Sequence, residues 1–124
     1  MANKISTSEL AIMRILWREK RPLKVSEVAG ELEQKKGWNK STTSTLVTRL
    51  RDKGLIEPTA RYGVARYIPL VSEEEFMLSE EKALLEKFGS AKKLAIAMVK
   101  NGHLNDADID ELREYFNMGG AGNE

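Results

Sequence analysis

Apolar side chains recur at helical spacing in three short stretches of the first half of the chain, and each stretch is bounded by residues that begin or end helices. In the first stretch the apolar positions are Leu10, Met13, Leu16 and Trp17. Ser6 and Glu9 form a capping box ahead of it, in which both side chains accept hydrogen bonds from backbone N–H groups. The pattern predicts a first helix that ends near Glu19, before the helix-breaking Pro22.

The second and third stretches predict two more helices. In the second, Val25, Val28, Ala29 and Leu32 share one face, and Lys35-Lys36-Gly37 ends the helix. The third has Asn39 as its expected N-cap and Gly54 just beyond its end. Its apolar face consists of Thr43, Leu46, Val47 and Leu50.

A β-hairpin is predicted after the third helix. Residues 55–59 and 64–68 are two short runs with strand propensity, and the segment between them contains a glycine. Pro58 lacks an N–H group, so its strand is expected at the edge of the sheet or to end there.

The second half of the chain predicts further helices. A capping box at Ser72 and Glu75 begins the first, Gly89-Ser90 separates it from the next, and Asn105 is the expected N-cap of the last. Residues 118–124 are glycine-rich and are expected to be disordered. The predicted fold class is mainly α with a small β-hairpin wing. The predicted domains are a winged helix-turn-helix domain at 1–71 and a helical arm at 72–117.

Charge is distributed unevenly between these two parts. Residues 1–71 hold 14 Lys/Arg and 7 Asp/Glu, a net charge of +7, whereas residues 72–124 hold 6 and 12, a net charge of −6. A basic part joined to an acidic part indicates a module that binds polyanions. Nucleic acid is therefore the expected partner.

Composition excludes several other classes of protein. The chain has no cysteine, which excludes disulfides, zinc fingers and cysteine catalysis. It shows no secretory signal and no apolar run of membrane length, so a cytoplasmic location without membrane insertion is expected. His103 and the carboxylates of Glu73, Glu74 and Glu75 are interpreted as surface residues, and Trp17 and Trp38 as packing residues. No catalytic motif is present, and neither an enzyme nor a cofactor or metal site is expected.

The third helix carries the expected DNA-binding surface. Its outer face is rich in hydroxyl side chains, which donate to phosphate oxygens and are short enough for a helix to enter the major groove. An ordinary polar surface helix is the alternative, but so many Ser and Thr residues on one face are unfavourable for helix formation. With the cations of the helix and the hairpin, the expected DNA-binding residues are Lys40, Ser41, Thr42, Ser44, Thr45, Thr48, Arg49, Arg61 and Arg66.

The C-terminal helices are expected to pair two copies of the chain. They have several apolar faces but too few residues to bury them alone. The expected dimerisation residues are Phe76, Leu84, Leu85, Phe88, Leu94, Met98, Ile109, Leu112, Tyr115 and Phe116. A two-fold dimer predicts operator half-sites arranged as an inverted repeat. The alternative function is a winged-helix interaction module or adaptor that does not bind DNA.

Several segments resemble the penicillinase and methicillin-resistance repressors (BlaI/MecI type). They are Ile5 to Glu9, Met13 to Trp17, Trp38, Thr45 to Leu50, Lys53-Gly54, Tyr67, Pro69, and Asp108 to Leu112. The resemblance implies a homodimeric transcriptional repressor that binds a palindromic operator and blocks a promoter. It also implies that Ser41, Thr42, Thr45 and Arg49 face the DNA.

The resemblance has two departures. Copper-responsive members of this broad family carry a cysteine motif near the C-terminus, and this chain has no cysteine. In β-lactam-responsive members a membrane sensor with a metalloprotease domain cuts an Asn-Phe bond in the dimerisation arm. The corresponding pair here is Ala97-Met98. The resemblance therefore implies release from DNA through disruption of the arm, with no cleavage position carried over.

Overall fold

A computed structural model describes residues 4–59 and 63–118. The elements are α1 (Thr7–Glu19), β1 (Leu23–Lys24), α2 (Val25–Lys36), α3 (Lys40–Asp52), β2 (Ile56–Pro58), β3 (Arg66–Pro69), α4 (Glu73–Phe88), α5 (Ala91–Lys100) and α6 (Asp106–Asn117). Packing divides the chain after Met77 into an N-terminal unit and a C-terminal unit, Met1–Met77 and Leu78–Glu124. The predicted domain boundary lies six residues earlier. Most of the predicted disordered tail, residues 119–124, lies outside the described residues.

The predicted helix boundaries are confirmed by hydrogen bonds at the helix ends. At the start of α1 the Glu9 N–H donates to Ser6 Oγ over 3.1 Å, and the Ser6 N–H donates to the Glu9 carboxylate over 2.9 Å. Asn39 Oδ1 accepts from the Thr42 N–H over 2.8 Å at the start of α3. The starts of α1 and α3 are thus set by the capping residues that the sequence predicts.

The predicted hairpin is present, but it belongs to a sheet of three strands in the order β1-β3-β2. β2 and β3 pair antiparallel, with Pro58 opposite Tyr67 on the edge strand β2. β1 pairs with the other side of β3, with Leu23 opposite Tyr67. The sequence analysis missed β1 because a strand of two residues shows no alternation of apolar and polar positions.

A single apolar core lies between α1, α2, α3 and the sheet. It consists of Ile12, Met13, Ile15, Leu16, Leu23, Val28, Leu32, Leu46, Val47, Leu50 and Ile56. The predicted apolar face of α3 is buried, and that of α2 is buried except for Val25, which is partly buried. In α1, Ile12 and Ile15 are buried and Leu10 is only partly so. Trp17 and Trp38 pack against this core, as predicted.

Trp17 also holds the chain segment that follows the sheet. Its indole N–H donates to the Val71 carbonyl over 2.9 Å. Its ring lies 5.7 Å from the ring of Phe76, measured between centroids. Phe76 was predicted as a dimerisation residue. It contacts Trp17 within the N-terminal unit because the first turns of α4 pack there.

One carboxylate is buried in the N-terminal unit. Glu9 is only 2% exposed, and its carboxylate accepts from Lys53 Nζ over 2.7 Å. Lys53 also donates to the Lys4 carbonyl, so this group joins the start of α1 to the end of α3. Burial raises the pKa of the Glu9 carboxyl, but the hydrogen bonds from Lys53 and the Ser6 backbone outweigh it, and the pKa lies below its ordinary value.

The C-terminal unit has a different character. None of the described residues of α4, α5 or α6 is buried. Large apolar side chains that remain exposed there include Leu84, Phe88, Ile96, Leu112, Tyr115 and Phe116. The predicted Asn105 cap is present, with Asn105 Oδ1 accepting from the Asp108 N–H, and Ser90 Oγ also caps α5 by accepting from the Lys93 N–H. Among the described residues, no helix has the length and apolar character needed to span a membrane.

We expect Glu9→Gln to destabilise the protein by about 1–3 kcal/mol at neutral pH, because it removes the charge that Lys53 contacts in a buried setting. The pKa of Glu9 is lower in the folded than in the unfolded chain. The stabilisation is therefore complete above the ordinary pKa of 4.5 and is lost as the pH falls through the folded-state value. Urea unfolding at pH 7 and at pH 3, at one protein concentration, measures both effects.

Glu33→Gln is the matched control, since Glu33 is an exposed glutamate of α2. It should change the urea midpoint little at either pH. A Glu9→Gln penalty that is equally large at pH 3 and pH 7 would contradict a charge-dependent contribution from Glu9.

Candidate nucleic-acid interface

The outer face of α3 is the centre of the candidate interface. Because Thr43, Leu46, Val47 and Leu50 are buried on one side, the opposite side of the helix points to solvent. This outer face comprises Ser41, Thr42, Thr45, Thr48 and Arg49, all exposed, with Ser44 half-buried at its edge. The structure therefore brings together the predicted residues of α3 on one accessible surface, with Lys40 at its first turn.

The wing lies beside the start of α3. Arg66 is exposed at the start of β3, and Val64, at the hairpin tip, is 63% exposed. The hairpin closes through the Thr59 N–H, which donates to the Arg66 carbonyl over 2.7 Å. Arg61, the other predicted wing residue, lies outside the described residues.

A concavity of about 370 Å³ joins α2, α3 and the wing. It is lined by Lys24 from the end of β1, Val25 and Ser26 from the start of α2, Lys40 and Ser44 from α3, and Val64, Ala65 and Tyr67 from the wing. The sequence analysis did not place Lys24, Ser26 or Tyr67 among the DNA-binding residues. They join the site because β1 pairs with β3, which places the start of α2 against the wing.

The cations around the outer face of α3 differ from those on the α1–α2 surface. There, Arg18 contacts Glu31 over 2.6 Å and Arg21 contacts Glu27 over 3.3 Å. Hydrogen bonds from Arg18 and Lys35 lower the pKa of the Glu31 carboxyl to about 2. In the described part of the chain, no ion pair involves Lys40, Arg49 or Arg66. Positive charge is thus left uncompensated beside the hydroxyl-rich face.

Three helices and a small antiparallel sheet, whose hairpin follows α3, define a winged helix-turn-helix protein, and the predicted fold class is confirmed. A model of the penicillinase repressor family matches residues 5–118. The chain belongs to the penicillinase repressor family.

Relatives of known function match almost the full length of the chain. It is 32% identical to the penicillinase repressor of Staphylococcus aureus, over 94% of this chain and 96% of that one. It is 30% identical to the methicillin resistance regulatory protein MecI of Staphylococcus aureus (strain N315), over 91% and 93% of the two chains. Because the family consists of repressors, the prediction that the chain is not an enzyme is confirmed.

Solved structures resemble the N-terminal part of the chain. The solution structure of the DNA-binding domain of the repressor BlaI superposes with a TM-score of 0.51 at 28% identity, covering 60% of this chain and 93% of that one. Monomeric BlaI of Bacillus licheniformis, in complex with the blaP half-operator, gives a TM-score of 0.53 at the same identity and covers 60% and 90%. The chain is thus a member of a family of DNA-binding repressors.

The Asn39 cap is expected to set the stability of the first turn of α3. Asn39→Ala removes the acceptor for the Thr42 N–H and should cost about 1 kcal/mol of unfolding free energy. Asn39→Ser restores an oxygen in the same place and serves as the matched control. Urea unfolding of the three proteins checks this. Equal destabilisation by the alanine and serine variants would show that the side-chain oxygen is not what matters.

Proposed function

We propose that this protein is a homodimeric, cytoplasmic transcriptional repressor that binds an operator with inverted half-sites through α3 and the wing. The observation that carries the proposal is the outer face of α3, where hydroxyl side chains and an uncompensated arginine are exposed on a helix whose other face is buried. The similar BlaI structure was solved with a half-operator, which supports DNA as the partner.

Each part of the surface has a role that its chemistry fits. The outer face of α3 enters the major groove, where Thr45 reads base edges and can contact a thymine methyl group. Lys40 and Arg49 contact the phosphates at the groove walls. In the wing, Arg66 and Arg61 contact the backbone or the minor groove.

The concavity between α2, α3 and the wing is a binding site for one backbone phosphate of the DNA. Lys24, at the end of β1, and Lys40, in the first turn of α3, supply charge, and Ser26 and Ser44 supply hydroxyl donors. The first turn of α2 adds the positive end of its helix dipole. A phosphate held there fixes the depth and tilt of α3 in the groove, without itself carrying sequence information.

The C-terminal unit supplies the dimer contact. Its described helices bury no side chain, and an apolar surface of this kind is covered when a second copy packs on it. The dimerisation surface comprises Leu84, Leu85, Phe88, Leu94, Met98, Ile109, Leu112, Tyr115 and Phe116. Phe76 is left out of this set, since it contacts Trp17.

Release from the operator follows from disruption of this arm, either by a membrane sensor protease or by a ligand. Two linked DNA-binding units bind an operator far more tightly than one unit, because the second unit binds at a high effective concentration once the first is bound. Ala97 and Met98 lie inside α5 and are partly buried, so the bond between them is a poor protease substrate while the helix is folded. The exposed turns next to α5, at Gly89 and at residues 101–103, are better placed for cleavage.

An interaction module that does not bind DNA is the competing function. Salt dependence separates the two, since binding to phosphates releases counterions and weakens steeply with salt. The uncompensated cations around α3 favour the repressor.

Two substitutions test whether α3 supplies sequence specificity and the wing supplies phosphate contacts. Thr45→Ala should weaken binding to the selected operator by about 1–3 kcal/mol and leave random duplex nearly unchanged, because Thr45 contacts base edges. Arg66→Ala should weaken both about equally and reduce the salt dependence, because Arg66 contacts phosphate. Fluorescence anisotropy with both duplexes at two salt concentrations measures these effects.

Arg113→Ala is the matched control for Arg66→Ala, since Arg113 is an exposed arginine of α6 in the C-terminal unit. It should leave the affinity nearly unchanged. If Thr45→Ala weakens operator and random duplex by the same factor, α3 is not the specificity element.

Cleavage of the arm tests dimerisation and release together. A protease site inserted between Gly89 and Ser90 of the full chain should, once cut, convert dimer to monomer and lower operator affinity by about 100-fold or more. Sedimentation and anisotropy before and after cleavage measure both. The same site appended after Glu124 is the control, because its cleavage leaves the arm intact. Unchanged affinity after complete cleavage at Gly89-Ser90 would refute release through the arm.

A further inference from the structure

A second concave surface lies in the N-terminal unit, away from α3. It is a groove of about 790 Å³ between the end of α1, the end of β3 and the first turn of α4. Its walls include the apolar side chains of Leu16, Trp17, Ile68, Leu70 and Val71. The volume is within the range of pockets that hold small organic molecules. The groove shares no residue with the proposed DNA contact.

Within residues 4–59 and 63–118, only some of the charged residues that line the groove lack an ion-pair partner outside it. Its charged lining residues are Lys20 and Arg21 after the end of α1, and Glu73, Glu74 and Glu75 in the first turn of α4. Arg21 is compensated from outside the groove by Glu19 at 3.7 Å and Glu27 at 3.3 Å. The charges that remain are those of Lys20 and three carboxylates, so the lining has a net negative charge.

The three carboxylates also differ from one another. Glu75 accepts from the Ser72 N–H over 2.9 Å and is committed to the cap of α4. Among the described residues, neither Glu73 nor Glu74 takes part in an ion pair or a side-chain hydrogen bond. These two carboxylates are available to a ligand.

We propose that this groove binds an amphipathic organic cation, with its apolar body against Trp17 and the walls and its charge towards Glu73 and Glu74. The apolar walls take up the body of such a ligand, and the carboxylates at the same opening attract its charge. An anionic ligand of the same shape meets the opposite field and is disfavoured. The proposal concerns ligand binding alone and does not depend on the DNA-binding function.

The test uses two probes of the same shape and opposite charge, tetraphenylphosphonium and tetraphenylborate. Calorimetry on the full chain at about 0.1 M salt should detect tetraphenylphosphonium, with tetraphenylborate binding more weakly. The indole N–H resonance of Trp17 should shift in an NMR titration. The indole N–H of Trp38, which does not line the groove, is the internal reference.

Paired variants test the carboxylates. Glu73→Gln with Glu74→Gln should weaken tetraphenylphosphonium binding about fivefold, and the Glu75 cap is retained. Glu80→Gln with Glu81→Gln changes charge equally in the same helix, outside the groove, and should have a much smaller effect.

Three results would overturn the proposal. One is the absence of tetraphenylphosphonium binding at millimolar concentration. Another is equal or tighter binding of tetraphenylborate to the unmodified chain, a comparison that does not depend on any variant folding. The third is a titration in which Trp38 shifts and Trp17 does not.

Discussion

The burial of one face of α3 is the interaction on which the rest of the N-terminal unit depends. Leu46, Val47 and Leu50 are almost wholly removed from water, and each contributes about 1.5–3 kcal/mol when buried. These contacts set the rotation of α3 about its own axis. Rotation by one residue, about 100°, would bury hydroxyl groups and expose leucine. The composition of the outer face is thus a consequence of the core that holds the other face.

The other elements limit how α3 can move along its axis. At the start of the helix, Asn39 caps the first turn, and at the end Lys53 contacts the buried Glu9 of α1. Fixed at both ends and along one side, α3 presents a preformed surface. A preformed surface loses little conformational entropy on binding, which favours affinity. The C-terminal unit contrasts with this, since its described helices are well capped but bury no side chain.

Much of the fold was predictable from the sequence because the signals were local. The starts of α1 and α3 follow from the capping residues Ser6 and Asn39, the end of α2 follows from Gly37, and the outer face of α3 follows from helical periodicity. What could not be predicted depends on residues distant in the chain. β1 exists only because β3 pairs with it, and Lys24 and Ser26 join the interface through that pairing. The sequence identifies Glu9 as a capping glutamate, but it does not show that the carboxylate is buried beside Lys53. The Ser72 cap marked a helix start correctly, but it did not show that Phe76 would pack back on Trp17.

Because β3 is the central strand of the sheet, the paired strands that support the wing are distinct from the loop at its tip. Both neighbours pair with β3, and the Thr59–Arg66 hydrogen bond closes the hairpin above them. Insertions or deletions between Thr59 and Arg66 would therefore lengthen or shorten the reach of the wing without shifting the strand register or disturbing α2. The tip is a place where related chains can diverge in length and charge, and where an engineer can graft a new loop. The same change within β1 would displace the start of α2 and the wing together.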